Sequence, residues 1–599
     1  MRFAELTATY ERLETISKRG EIRAALVALI RPLRPPELAE VVYLSQGMLR
    51  PEFEGVELGV ADSLARQAIA LVTGAEEGTV ARKAKASGDL GTTTGELLAG
   101  KPPGGSHPPL TIREVYSELS RIAESKGAGS QDTKVGILAD LLRRSSPVEG
   151  KFLIRLVLGT LRVGVREMTI LDALAEAFAD GSKPARARIE AAFNLSSDLG
   201  RVANVLAERG LEGLASVDIE VGRPVRPMLA EREPSLAAVL ERMGGKMELE
   251  YKYDGLRVQA HIPAHGPVRL FSRRLEEISA QFPELTAELP AAVRERPAIL
   301  EGECVPIDLD TDEILPFQEV SRRRGRKHDL ERMREEVPVC LFTFDVLLVG
   351  KDRVYERPFP ERRAALEKLL RPGERVRLAV NEVVHDVESA TRFFEEAVAA
   401  GGEGVMAKSL APGSTYRAGA RGFWWIKYKR EYTAGLADSI DGVVVGGFHG
   451  RGRRAGRYGA FLLAVYDARR DRFESFCKVG SGFDDAMLAE MPKRLARFEV
   501  DSAPPSVDTG LTPDRWMRPG LVLEVRGAEL TLSPIHRAAF GAIRAGAGLA
   551  LRFPRFTGRF RDDKGPQEAT TSTELVELYR AQVRKEQPAS EEASKGPES

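Results

Sequence analysis

Glu248-Leu-Glu-Tyr-Lys-Tyr-Asp-Gly-Leu-Arg257 sets a lysine two residues ahead of an Asp-Gly pair, with apolar and polar residues alternating on both sides. Period-two alternation predicts strands, and Asp-Gly between two such runs predicts a two-residue turn. Read as a hairpin, the segment pairs Tyr253 with Leu256, Tyr251 with Val258 and Leu249 with Ala260 on one buried face. Lys252 then stands opposite Arg257, and Glu250 opposite Gln259, on the other face. An amine, a guanidinium and a carboxylate around one turn suit the gripping of a nucleotide phosphate and attack on it. Lys252 is therefore the candidate nucleophile, with Glu250 and Arg257 beside it. Four residues Lys-x-Asp-Gly also occur in any amphipathic hairpin with a surface lysine, so the rest of the chain has to decide.

Before this segment, up to about residue 220, apolar residues recur at helical spacing, as in Ile112-Arg-Glu-Val-Tyr-Ser-Glu-Leu119, and predict an all-α domain. A Gly/Pro/Ser/Thr-rich stretch from Ala86 to Pro109 reads as a long surface loop, and the proline-rich run Val221 to Ala230 as a linker. From there to about Arg430, strand-like runs near 247–262, 298–306, 338–349 and 404–409 alternate with helices Glu361–Leu370 and Glu388–Ala399, an α/β pattern. After Tyr432, strands at 441–447, 458–466, 472–479 and 521–527 between Gly/Arg-rich turns predict a small β-barrel. The domains expected are 1–220, 221–430 and 431–580, with a polar, disordered tail at 581–599.

A chain of 599 residues exceeds one core and predicts about three or four domains. Its 88 basic residues balance 88 acidic ones, so a nucleic-acid-binding field has to come from local clusters. Cys304, Cys340 and Cys477 stand alone in apolar runs, which predicts reduced core thiols and a cytoplasmic protein. Neither a signal core nor a membrane-spanning run is legible, so no membrane partner is expected.

Five segments downstream of the first strand carry chemistry. Ile299-Leu-Glu-Gly-Glu-Cys-Val305 puts Glu301 and Glu303 on one strand face, where Mg²⁺ with phosphate oxygens relieves their repulsion. Leu341-Phe-Thr-Phe-Asp-Val-Leu347, which holds Phe344, is mostly core. In Gly402-Glu-Gly-Val-Met-Ala-Lys408, strand parity separates Glu403 from Lys408 unless the chain bends at Gly404. Arg421-Gly-Phe-Trp-Trp-Ile-Lys-Tyr-Lys429 places Lys427 and Lys429 on one face with Trp425. Leu270-Phe-Ser-Arg273 ends a strand on a cation. A lysine with an ordinary pKa of about 10.4 is protonated at neutral pH, so neighbouring cations such as Arg257 are the expected means of freeing Lys252.

With Arg552-Phe-Pro-Arg-Phe-Thr-Gly-Arg-Phe-Arg-Asp-Asp-Lys564 added, seven segments in this order resemble the ATP-dependent DNA ligases of the archaeal and eukaryotic replicative type, and the resemblance spans nearly the whole chain. It implies a helical DNA-binding domain, an α/β nucleotidyltransferase (adenylation) domain and an OB-fold domain, the helical and barrel domains closing around the duplex. It implies ATP and Mg²⁺ as cofactors, with Lys252 taking AMP, Arg273 contacting the nucleotide and Phe344 stacking on adenine. Glu303 and Glu403 take the metal, Lys408 a phosphate, Lys427 the α-phosphate, and Arg421 also contacts ATP. By this reading Glu301 is a solvated neighbour. The last motif presents cations to pyrophosphate, and Gly558 makes it one residue longer than the plainest pattern, leaving Arg559 and Arg561 as alternatives. Arg451 to Arg457 and Gly159 to Val165 are candidate DNA contacts. The function implied is nick sealing in replication, repair and recombination, by a nucleoid-associated monomer with replication or repair clamp proteins as partners. An RNA ligase or another lysyl-nucleotidyl transferase is the alternative.

Overall fold

Helices follow one another from Phe3–Thr15 to Leu199–Gly213 in the computed structural model, packed around a core that includes Phe3, Tyr10, Phe152 and Phe193. The residues described are 1–100, 108–307, 314, 317, 320, 323, 337–429, 439–450, 457–527, 529–533, 535–551 and 554–584. The stretch expected to loop from Ala86 to Pro109 is helical at Glu77–Ser87 and Leu90–Ala99, and 101–107 lie outside the described residues. Two of its glycines, Gly91 and Gly95, serve helix packing. A Cβ on Gly91 would meet the Lys151 carbonyl oxygen at 2.6 Å, and one on Gly95 the Pro147 carbonyl oxygen at 3.0 Å, so helix Pro147–Val157 lies closer than any side chain permits. Composition signals a turn and a close helix crossing alike, which is why the loop reading failed.

Two five-stranded sheets follow. Their strands are β1 (Leu229–Arg232), β2 (Met247–Lys252), β3 (Leu256–Ile262), β4 (Arg269–Ser272), β5 (Ala298–Pro306), β6 (Val339–Val349), β7 (Val376–Leu378), β8 (Asn381–Val384), β9 (Gly404–Ser409) and β10 (Arg421–Lys429). One sheet runs β1-β10-β9-β2-β8, the other β4-β3-β5-β6-β7. The expected hairpin is therefore absent: β2 pairs with β8 and β9, and β3 with β4 and β5. Asp254 and Gly255 form the crossing from one sheet to the other, and Lys252 stands at its edge. Alternation reports the two faces of a strand but not its neighbours. The charged face of β2 is as buried as the apolar one, with Glu248 and Glu250 only 5% and 2% exposed, as suits a strand flanked on both sides. Gly255 is required at the crossing, since a Cβ there would lie 2.5 Å from the Cys304 carbonyl oxygen.

All of this belongs to one compact unit, Met1–Lys429; the second, Arg430–Ser599, is sheet-rich. It contains β11 (Ile440–His449), β12 (Tyr458–Asp467), β13 (Arg472–Val479), β14 (Glu499–Val500), β15 (Val507–Asp508), β16 (Arg515–Met517), β17 (Val522–Arg526), β18 (Leu530–Ser533), β19 (Gly548–Leu551) and β20 (Arg555–Phe560). The four expected strands are β11, β12, β13 and β17. Helix Ser572–Arg584 runs across the point where a tail was expected, and 585–599 lie outside the described residues. Cys304, Cys340 and Cys477 are buried thiols.

Candidate active site

The register of β2, β9 and β10 builds one face. Lys252 and Lys429 both pair with Gly404, Glu250 and Lys427 both with Met406, and Glu248 and Trp425 both with Lys408. Directly paired residues share a side of the sheet, and β1 adds Arg232 beside Lys427. Glu403 sits just before β9. Its backbone N–H donates to the Lys252 carbonyl at 2.8 Å, and its carboxylate accepts from the Lys252 ammonium and, at 2.7 Å, from Lys429. Burial pushes Glu403 up, but Lys252 and Lys429 outweigh it and hold the carboxyl at about 2. The expected bend is present: Gly404 has φ +142°, and a Cβ there would lie 2.4 Å from the Tyr428 carbonyl oxygen.

That bend does not bring Lys408 to Glu403. Lys408 is 1% exposed, pairs with Glu250 at 2.7 Å, donates to the Phe344 carbonyl at 2.9 Å and lies 4.7 Å from the ring centres of Phe359 and Trp425. Its position is interior, and the phosphate role expected of it has no support in this geometry. Glu250 is likewise committed, to Lys408 and to Arg363 at 3.4 Å; burial pushes it up to about 7 against both cations.

Arg257 differs from expectation too. Its guanidinium donates to Glu301 at 2.8 Å and to the Met228 carbonyl at 2.8 Å, so its charge is matched beneath the site and not turned on Lys252. It also lies 5.4 Å from the Phe344 ring centre. Glu301, expected to be solvated, is 1% exposed and also accepts from Tyr416 Oη at 2.9 Å and Gln259 at 3.3 Å. Nothing near Glu301 in the sequence signals Tyr416, which comes from more than a hundred residues away. Phe344 is half-buried, edge-on to Trp425.

Glu303 faces the Lys252 side. Burial pushes it up to about 7, opposed by Lys252 and Arg257 and reinforced by Glu403 and Asp254. Among the described residues no three His, Cys, Asp or Glu side chains converge as a metal cage. The donor set present is two carboxylates, Glu303 and Glu403, within electrostatic reach of each other. Magnesium prefers one or two carboxylates completed by substrate oxygens, and this pair fits it.

Lys427 is held down at about 8 by burial and then by Arg232, Lys252, Lys429 and Arg273. A cluster of five cations whose mutual repulsion shifts one of them is a field waiting for an anion. Arg273, exposed after β4, belongs to it, as does Lys429, which strand parity placed on one face with Lys427; Arg232 was not foreseen. Arg421 stands exposed at the other end of β10; across a bulge between Gly422 and Ile426 it pairs with Leu229 while Lys427 pairs with Arg232, three residues and about 10 Å apart along β1.

Within the second unit, Gly558 has φ +93° and forms a bulge in which Thr557–Arg559 oppose Glu524 alone. Arg561 is neutralised by Asp441 at 2.6 Å and Asp563 at 2.8 Å, whereas Arg559 is 63% exposed and 3.5 Å from Glu524. Arg552 and Arg451 to residue 456 lie outside the described residues. The loop Gly159 to Val165 exposes Arg162 between two left-handed glycines, Gly159 and Gly164. No helix among the described residues is long and apolar enough to cross a membrane.

Family models agree with this layout. "DNA ligase N terminus" matches residues 2–175, "ATP dependent DNA ligase domain" 227–429 and "ATP dependent DNA ligase C terminal region" 454–564. "DNA ligase 2" of Thermofilum pendens is 48% identical over 591 residues, 97% of each chain. "DNA ligase" of Pyrobaculum arsenaticum is 44% identical over 593 residues, 98% of this chain and all of its own. The solved structure "Pmar-Lig_PreS3" shares the fold, with a TM-score of 0.52 at 18% identity, covering 93% of this chain and 99% of its own. With three family domains in order and near full-length relatives, the chain belongs to the ATP-dependent DNA ligases, enzymes that seal nicks in DNA.

Proposed function

We propose that this ligase seals nicks in duplex DNA by carrying adenylate on Lys252. The observation that supports this most directly is the double hold of Glu403 on Lys252, through main chain and side chain, inside a field of four further cations. In the first step the Lys252 amine attacks the α-phosphorus of ATP. A P–N bond forms, the bond to pyrophosphate breaks and the amine loses a proton. Next, a 5′-phosphate oxygen at the nick attacks the same phosphorus, and the lysine leaves and regains its proton. Finally the 3′-hydroxyl attacks the nick phosphorus, loses its proton and expels AMP. Lys427, Lys429, Arg232 and Arg273 neutralise the phosphates throughout, which is where phosphoryl transfer gains most.

Magnesium held by Glu303 and Glu403 would supply further charge neutralisation and orient the triphosphate. Phe344 stacks on adenine, above Arg257, and Arg421 reaches the nucleotide from the start of β10. In this reading 1–220 is the DNA-binding domain, 221–430 the adenylation domain and 431–580 an OB-fold domain whose last motif offers Arg559 as its exposed cation. Replication, repair and recombination are its settings, with clamp proteins as partners. Challenging the enzyme with matched DNA and RNA nicks tests the acceptor: sealing confined to DNA is expected, and a preference for RNA would overturn it.

A further inference from the structure

Arg273 lies in a tight turn after β4 that packs against a residue from the helical region. Ser272 N–H donates to the Glu276 carbonyl at 2.9 Å and Leu275 N–H to the Ser272 carbonyl at 2.8 Å, closing the turn around Arg273 and Arg274. Leu275 has φ +66°, a left-handed conformation that a leucine adopts only when its surroundings demand it. Here the demand is apolar. Leu275, 7% exposed, forms a small cluster of its own with Phe271 of β4 and Phe53, which are fully buried and 3% exposed. Phe53 comes from the short helical turn Glu52–Glu54, over two hundred residues earlier. Arg223 stacks over Phe53 at 5.7 Å, and Glu52, next to Phe53, lies within electrostatic reach of Arg274 and Glu276 of the same turn. Leu275 and Arg273 in turn line one small cleft with Arg257 and Glu301.

We propose that Phe53 is a positioning residue for the nucleotide: by burying the side chain of left-handed Leu275 it holds the turn that aims Arg273. The helical region thereby takes part in the ATP-consuming step, before any DNA is bound. Removing the Phe53 ring leaves left-handed Leu275 with only Phe271 of that cluster to pack on, and the turn relaxes toward ordinary backbone with Arg273 displaced. A glycine at 275 has no such strain and keeps the turn without help. This inference rests on the reading of Arg273 as a nucleotide contact, and the test separates the two.

The measurement is KM for ATP in self-adenylation, read as transfer of α-phosphate label to the protein without DNA. Relief of the left-handed strain is expected to raise KM about tenfold in Phe53→Ala, with Phe53→Leu within about twofold of the parent. Adding Leu275→Gly to Phe53→Ala is expected to return KM toward the parent value. A role in packing alone predicts the opposite, because the glycine removes still more apolar contact. Arg273→Ala, measured in parallel, is expected to raise KM by itself. If it does not, the nucleotide role of Arg273 fails and the inference with it; if it does while Phe53→Ala leaves KM unchanged, or the glycine deepens the loss, the inference alone is overturned.

Discussion

The Glu403 backbone N–H donates to the Lys252 carbonyl at 2.8 Å while the Glu403 carboxylate holds the Lys252 ammonium. One residue thus fixes both the strand end and the reactive tip. Glu403→Gln keeps the backbone bond and loses the charge, and misplacing a nucleophile by an ångström costs about 100-fold. Labelling by α-phosphate-labelled ATP is expected to fall by about that factor in a folded protein. Undiminished labelling would remove Glu403 from the account.

Arg257 and Glu301 form a pair whose carboxylate is 1% exposed and whose guanidinium is 15% exposed. Breaking such a pair from one side leaves a buried charge alone and costs about 3–5 kcal/mol. Glu301→Ala is therefore expected to lower the urea midpoint of the first unit markedly, and Glu301→Gln, which still accepts hydrogen bonds, to lower it less. Equal midpoints for parent and alanine variant would show that Arg257 finds another partner.

Much of this arrangement is legible in the sequence, and the failures share a cause. Alternation located β2, β3, β5 and β9, and parity put Lys427 and Lys429 on one face. The bend at Gly404 followed from strand parity, and the extra residue at Gly558 from the resemblance to the family's last motif. Pairing did not follow, because a strand with two buried faces carries no mark of its neighbours: β2 and β3 part at Asp254. Glu301 read as solvated because Tyr416 and Gln259, which satisfy it with Arg257, arrive only through tertiary folding. Lys408 read as a phosphate ligand because its burial against Glu250 is a property of the sheet, not of the motif.

Gly404→Ala tests the bend. Its methyl would be driven into the Tyr428 carbonyl and the Lys429 Cα at 2.4 and 2.9 Å, and such overpacking costs about 1–3 kcal/mol. Because β10 carries Lys429 and Lys427, the expected signature is a loss of ATP labelling larger than the loss of stability accounts for. A stable variant with full labelling would mean that β9 tolerates ordinary backbone there.

Lys427, held at about 8, bears its full charge below that pH and loses it above, while a bound phosphate favours the charged form. ATP affinity is accordingly expected to hold up to about pH 7 and to fall from about pH 8, whereas Lys427→Arg keeps its charge and flattens the decline. An equally steep decline in the arginine variant would assign the titration to another group.

Lysines and arginines that neutralise DNA phosphates release counterions, so nick affinity is expected to fall steeply with salt, with a log–log slope of about −4.5 if five phosphates are engaged. Titration of a fluorescent nicked duplex between low and moderate salt measures it. A flat response would argue against phosphate-dominated binding.

Whether Lys252 carries the adenylate is read by one pulse-chase experiment. The enzyme is incubated with ATP labelled at the α-phosphate and Mg²⁺, then chased with singly nicked duplex DNA, beside Lys252→Ala. Label is expected on the parent protein and to leave as the nick closes, with none on Lys252→Ala, which stays folded and still binds nicked DNA; label retained there would show that another residue takes the AMP.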